Sequence, residues 1–240
     1  MTQPADAAAR LIIALDVEGR DAALALVREL PAARIFKVGL ELFTAEGPAL
    51  VREIGALGRE VFLDLKLHDI PNTVGEAARI GVRQGARMMT IHASGGAEMM
   101  RRAEETARDE AERRGVAKPI LLGVTVLTSL KGDDLAAIGL NADTGAQVRR
   151  LAALAKGAGM DGVVCSAQEI EIVRRETGPG FLIVTPGIRP AWAAAQDQKR
   201  VMTPAEAVGK GSDFLVVGRP VTLAPSPREA FRKIVEELSA

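Results

Sequence analysis

The 240-residue chain balances 31 Lys and Arg against 31 Asp and Glu, and holds six Phe, one Trp, no Tyr, two His and one Cys. One Cys excludes an internal disulfide framework and a Cys-rich zinc site, and suits a reducing, cytoplasmic compartment. Zero net charge and few aromatics give no general pull toward nucleic acid or membrane and no base-stacking platform.

In chain order, short aliphatic or β-branched runs alternate with longer Ala/Leu/Arg/Glu segments of helical spacing. A strand over Arg10–Asp16 precedes a helix over Asp21–Leu30, and Arg34–Gly39 precedes Ala45–Leu57. Glu60–Lys66 leads to Thr73–Gly85, and Arg87–Ala93 to Gly96–Gly115. Pro119–Val126 is followed by Thr144–Gly157, Gly162–Cys165 by Ala167–Thr177, and Phe181–Thr185 by Thr203–Gly209. Asp213–Gly218 and a helix over Pro227–Leu238 close the chain. No signal peptide is expected, because Met1 to Arg10 lacks a basic segment followed by an apolar one. The longest uncharged apolar stretch, Pro119 to Leu130, is too short to span a bilayer. Eight strands alternating with helices, with no linker or low-complexity tract, predict one α/β domain over residues 1–240, a (β/α)8 TIM barrel. A doubly wound open sheet is the alternative.

Barrels carry their sites on loops after the C-terminal ends of the strands, so the residues ending each strand matter most. Here they are Asp16, Lys37-Val38-Gly39, Asp64-Leu65-Lys66, His92, Thr128-Ser129, Pro186-Gly187-Ile188-Arg189 and Gly218-Arg219. Strand alternation places Phe62, Asp64 and Lys66 on one face and Val61, Leu63 and Leu65 on the other. With the apolar set against the helices, Asp64 and Lys66 enter the barrel mouth. Inward charges there are costly unless paired or functional.

Structural roles account for part of the pattern. Thr73-Val74-Gly75-Glu76 has capping-box spacing, which explains Thr73 and Glu76 but not the charges before them. Asp16 and Lys37 are each compatible with ordinary strand ends. His92 shares a face with Thr90 and reads as a buried, hydrogen-bonded histidine, His68 as solvated, and Cys165 as an inert small hydrophobe. Trp192 is assigned no chemistry, and Ala191–Ala195 reads as a flap. Gly187-Ile188-Arg189 and Gly218-Arg219-Pro220 follow the last two strands, the usual barrel location for a phosphate. Glycine lets backbone N–H groups approach an anion, and Arg offers a bidentate fork.

These residues resemble the orotidine 5′-phosphate decarboxylase family. Its signature Asp-x-Lys-x-x-Asp-Ile-x-x-Thr runs intact from Asp64 to Thr73. Around it stand Leu15-Asp16, Lys37-Val38-Gly39, His92-Ala93-Ser94-Gly95-Gly96, Leu127-Thr128-Ser129, Thr185 to Arg189, Asp197 to Arg200, and Val217 to Pro220. The resemblance implies decarboxylation of orotidine 5′-monophosphate to UMP, the last step of de novo UMP synthesis, by a homodimer with no metal or organic cofactor. It casts Lys66 as the acid that protonates C6, with Asp64 beside the substrate carboxylate and Asp69 of the partner subunit completing the array. Lys37 would lie between Asp64 and the ribose, Asp16 would hold a ribose hydroxyl, and Thr73 would act on the partner's ribose. Ile70 counts among the substrate-binding residues. Thr128 would hydrogen-bond the pyrimidine, Arg189, Arg219 and the Gly218 backbone would take the phosphate, and Gln198 would bridge phosphate and pyrimidine.

Two other enzymes compete. Magnesium-dependent sugar-phosphate relatives share the Asp-x-Lys-x-x-Asp element but carry an acidic ligand where this chain has Lys37, a cation that repels Mg²⁺. A Schiff-base aldolase needs an unprotonated lysine, whereas flanking acids favour the ammonium. A nucleotide-binding module without turnover is the non-enzymatic reading.

Overall fold

The computed structural model describes residues 6–193 and 202–239. Eight parallel strands close in sequence order, with β1 (Leu11–Ala14) pairing with both β2 (Ile35–Gly39) and β8 (Phe214–Val217). Between them lie β3 (Glu60–Leu67), β4 (Ala86–His92), β5 (Ile120–Val124), β6 (Gly162–Val164) and β7 (Leu182–Pro186). The outer ring contains α1 (Gly19–Glu29), α2 (Leu40–Ala56), α3 (Pro71–Arg83), α4 (Ala97–Arg114), α5 (Gly132–Ala137), α6 (Thr144–Gly157), α7 (Ile170–Thr177), α8 (Pro204–Gly209), α9 (Arg219–Thr222) and α10 (Pro227–Ser239). This is the expected (β/α)8 barrel. No described helix is long and apolar enough to cross a membrane.

Alternation along the strands divides the apolar residues into two cores. Ile12, Ile35, Phe62, Met88, Leu122, Val184 and Val216 fill the barrel interior. Ile13, Phe36, Val61, Leu63, Met89, Val163 and Ile183 pack outward against the helices. Apolar burial is worth roughly 25 cal/mol per Å², so a one-residue slip that exchanged the faces would be heavily penalised. Gly162 is required by packing: a Cβ there would lie 2.3 Å from the Leu182 carbonyl oxygen. The same alternation carries polar residues upward from interior apolar ones, Lys37 above Ile35 and Asp64 above Phe62.

The N-terminal end of the barrel is held by two similar devices. The Asp161 carboxylate accepts the Leu121 N–H at 2.8 Å and the Lys118 ammonium at 2.7 Å. Asp213 accepts the Ile183 N–H at 2.8 Å and an Arg174 N–H at 2.7 Å. Arg174 also donates to the carbonyls of Gly178, Phe181 and Gly211. Each carboxylate thus ties together neighbouring strands or loops through charge-assisted bonds.

Three helices begin earlier than their sequence patterns indicate, among them α1, at Gly19 rather than Asp21. α2 starts directly after β2, at Leu40, and bends at Gly47 (φ 63°) before Pro48, which is the breaker that obscured its first turns. α3 starts at Pro71, a residue suited to the first helical turn, rather than at Thr73. The Thr73–Glu76 capping box is therefore not formed; Ile70 occupies the cap position, and Glu76 pairs with Arg79 at 2.8 Å. The short helices α5 and α9 were not anticipated.

Candidate active site

Four charged side chains from three adjacent strand ends form an alternating row at the mouth. Lys37 Nζ lies 3.2 Å from Asp16 Oδ1 and 3.8 Å from Asp64 Oδ2. Lys66 Nζ lies 3.0 Å from both Asp64 oxygens. The inner pair is the more enclosed: the Lys37 and Asp64 side chains are each 12% exposed, against 38% for Lys66 and 58% for Asp16. The buried carboxylate thus has an ammonium on either side, which offsets its lost hydration. Lys66 is left open enough to meet a ligand. Gly39 allows this packing, since a methyl there would come 3.0 Å from Lys37 Nζ.

Lys66 reaches its place through an irregular backbone. The β3–β4 register runs from Leu63↔Met89 to Leu67↔Ile91, so four steps along β3 match two along β4. Within that surplus Lys66 has φ 52°, the only positive φ outside glycine among the described residues. A left-handed conformation costs a non-glycine residue roughly 1–2 kcal/mol. Such strain concentrates where function over-determines geometry. The Lys66 N–H donates to Thr90 Oγ1 at 2.9 Å, and that hydroxyl donates to Asp64 Oδ1 at 2.9 Å. Sequence reasoning noted Thr90 only as the neighbour of His92. The available signal was a polar residue on the interior face of β4, one layer above Met88.

His92 is half-buried and its ring lies against that of exposed His68, with centroids 5.3 Å apart and planes tilted by 38°. Burial, then the nearby His68 and Lys66 charges, lower its pKa against the opposing pull of Asp64, which favours neutral imidazole. Cys165 is buried, and desolvation raises its thiol pKa, consistent with an inert role. Trp192 is exposed, with Lys233 Nζ 5.8 Å from its ring centroid.

The proposed phosphate residues lie on the β7 and β8 loops of the same rim. Gly187 has φ 77°, and the half-buried Arg189 donates its N–H to the Met202 carbonyl at 3.1 Å. Gly218 precedes α9, whose first residue is the exposed Arg219. A methyl on Gly218 would lie 3.4 Å from Asp16 Oδ2, which joins this rim to the charged row. Thr128 is exposed on the loop after β5. Gln198, with Ala194 and Ala195 of the anticipated flap, lies outside the described residues.

Asp69, Ile70 and Thr73 are exposed at the start of α3. Asp69 accepts the Ile70 N–H at 2.7 Å, and among the described residues no ion pair joins it to Lys66 or Lys37. Nearby, between α2 and α3, an apolar cavity of about 320 Å³ is lined by Phe43, Leu65, Leu67, Ile80 and Met89.

The model of the orotidine 5′-phosphate decarboxylase / HUMPS family matches residues 9–234. An orotidine 5′-phosphate decarboxylase of Syntrophomonas wolfei is 51% identical over 235 residues, covering 95% of this chain and 97% of the relative. Its counterpart from Paramagnetospirillum magneticum is 51% identical over 227 residues, with 94% and 97% covered. The crystal structure of orotidine 5′-phosphate decarboxylase from Lactobacillus acidophilus superimposes with a TM-score of 0.86 at 36% identity, covering both chains fully. With a family model and close relatives each spanning nearly its whole length, the chain belongs to the orotidine 5′-phosphate decarboxylase / HUMPS family.

Proposed function

We propose that the chain is a carboxy-lyase that converts orotidine 5′-monophosphate to UMP and carbon dioxide, the last step of de novo UMP synthesis, without metal or organic cofactor. The observation that carries this reading is the Asp16–Lys37–Asp64–Lys66 row, with arginines on the adjacent rim. Loss of carbon dioxide from C6 leaves an electron pair in the ring plane, where the ring carbonyls cannot delocalise it. Stabilisation must therefore be electrostatic and already in position. An ammonium at C6 attracts that pair and then supplies the proton that becomes the C6 hydrogen, the general-acid role given to Lys66. Asp64 holds the ammonium through both oxygens and lies beside the leaving carboxylate. Lys37 and Asp16 serve the ribose, Thr128 and Gln198 the pyrimidine, and Arg189, Arg219 and the Gly218 N–H the phosphate. Phosphate binding remote from C6 contributes to rate when expressed in the transition state.

Lys37 also separates the two chemistries in the family. Its ammonium stands between Asp16 and Asp64, where it repels a divalent cation and favours the decarboxylase over the magnesium-dependent sugar-phosphate enzymes.

The site is completed in a homodimer. Asp69 of the partner subunit joins the array, with the partner's Ile70 and the partner's Thr73. The exposed start of α3 and the adjacent apolar cavity support this reading. A cytoplasmic location accords with the single buried thiol.

The deciding experiment follows pyrimidine absorbance after adding orotidine 5′-monophosphate with a chelator present. A decrease is expected; no turnover, or turnover that the chelator abolishes, overturns the proposal. For the dimer, mixed Lys66→Ala and Asp69→Ala subunits regain activity, because one hybrid site carries neither defect. No recovery after demonstrated subunit exchange removes the role in trans.

A further inference from the structure

We propose that Thr90 is a positioning residue, whose hydroxyl ties the Lys66 backbone to the Asp64 carboxylate and thereby sets where the Lys66 ammonium stands. The inference rests on Lys66 as the proton donor of the proposed decarboxylation.

The surplus residues in β3 take Lys66 out of the regular ladder with β4. Its N–H is satisfied by a side chain, Thr90 Oγ1, at 2.9 Å. A hydroxyl has one proton to give; because Oγ1 accepts from Lys66, that proton is available to Asp64 Oδ1, also at 2.9 Å. Asp64 Oδ1 in turn accepts from Lys66 Nζ at 3.0 Å. A closed circuit results: backbone N–H of Lys66, Thr90 hydroxyl, Asp64 carboxylate, ammonium of Lys66. Both ends of one residue are anchored through two partners, which holds φ 52° in place. Thr90 is 1% exposed, so water does not readily replace its hydroxyl.

Among the described residues no other side chain closes the circuit. Asp64 is also bridged to Lys37 at 3.8 Å, but that contact leaves the Lys66 N–H untouched. Among the described residues His92, the next inward residue of β4, makes no hydrogen bond to Lys66 or Asp64 and so does not substitute for the hydroxyl. Misplacing a reacting group by about 1 Å can cost on the order of 100-fold in rate. Losing the hydroxyl therefore falls on kcat more than on ground-state binding.

The test compares wild type, Thr90→Val, Thr90→Ser and Thr90→Ala, with orotidine 5′-monophosphate as substrate and UMP as binding probe. Thr90→Val keeps the shape and loses the hydroxyl; kcat falls about 10- to 100-fold while KM and UMP affinity stay within about threefold. Thr90→Ser returns kcat to within about threefold of wild type. If Thr90→Val does not fold, Thr90→Ser against Thr90→Ala isolates the hydroxyl, with serine at least about tenfold the faster. Wild-type kcat in Thr90→Val, or equal kcat in the serine and alanine variants, overturns the role of Thr90. A wild-type protein that binds UMP without turning over orotidine 5′-monophosphate instead overturns the decarboxylase reading beneath it.

Discussion

Both ends of the barrel bury carboxylates against cations, yet they do so in opposite ways. At the N-terminal end, Asp161 and Asp213, each in the bend before a strand, accept a backbone N–H from a neighbouring strand and one charged side chain. At the C-terminal end, Asp64 accepts two ammonium contacts and a hydroxyl, and the lysine beside it sits at φ 52° in a broken ladder. A carboxylate that also receives the main chain makes the fold rigid. One whose partners are side chains can respond to a ligand. The same pairing of charges serves stability at one end and chemistry at the other.

The largest effect that can test this division is at the mouth. Lys66→Ala lowers kcat by roughly 10⁴-fold or more, since proton donation and electrostatic stabilisation are lost together, while UMP binding stays measurable. Near-normal kcat would remove Lys66 from the chemistry. At the opposite end Asp213→Ala leaves Arg174 without its carboxylate and costs about 3 kcal/mol in urea unfolding, with kcat of the folded enzyme retained. Intact stability, or a kcat loss in folded protein, would erase the distinction between the two ends.

Arg219→Ala sharpens the comparison within the mouth. It reduces kcat/KM for the phosphorylated substrate about 100-fold, and that for orotidine, which lacks the phosphate, far less. Equal losses would place Arg219 away from the phosphate.

The smallest effect separates both ends from the outside of the barrel. Glu110 on α4 is enclosed by Arg83 and Arg113, whose hydrogen bonds lower its pKa to about 2. Its contribution to stability is present above its ordinary value of 4.5 and is lost as pH falls through about 2. The urea midpoint of wild type therefore declines in that window, and Glu110→Gln shows a shallower decline. An unchanged acid slope in the variant would assign acid loss to other carboxylates.

Much of this organisation was legible in the sequence because period-two alternation is strict where both faces are apolar. Phe62 inward dictated Asp64 inward. Regular alternation also carried Lys66 inward, but not by the route taken: the surplus residues and the left-handed φ depend on β4 and leave no local signature. Thr73 met a capping rule that Pro71 pre-empted two residues earlier. Asp161 and Asp213 were invisible as structural anchors because a single acid before a strand resembles any turn residue until the facing strand supplies its N–H. Thr90 was overlooked for the same reason, since its partners lie 24 and 26 residues away.

The break in β3 also bears on local opening. Hydrogen exchange in a barrel is slowest where ladders are continuous and faster where side chains replace them. The lower half of β3, from Val61 to Leu63, is paired on both sides, regularly with β2 and across a one-residue shift at Val61/Phe62 with β4, whereas its upper half faces β4 across the longer shift between Leu63 and Leu67. The seam carrying Lys66 is thus held by the Thr90 hydroxyl rather than by a strand ladder, and its amide is expected to exchange ahead of those in the strands below it, much as an expansion joint lets one span of a bridge move while its piers stand still.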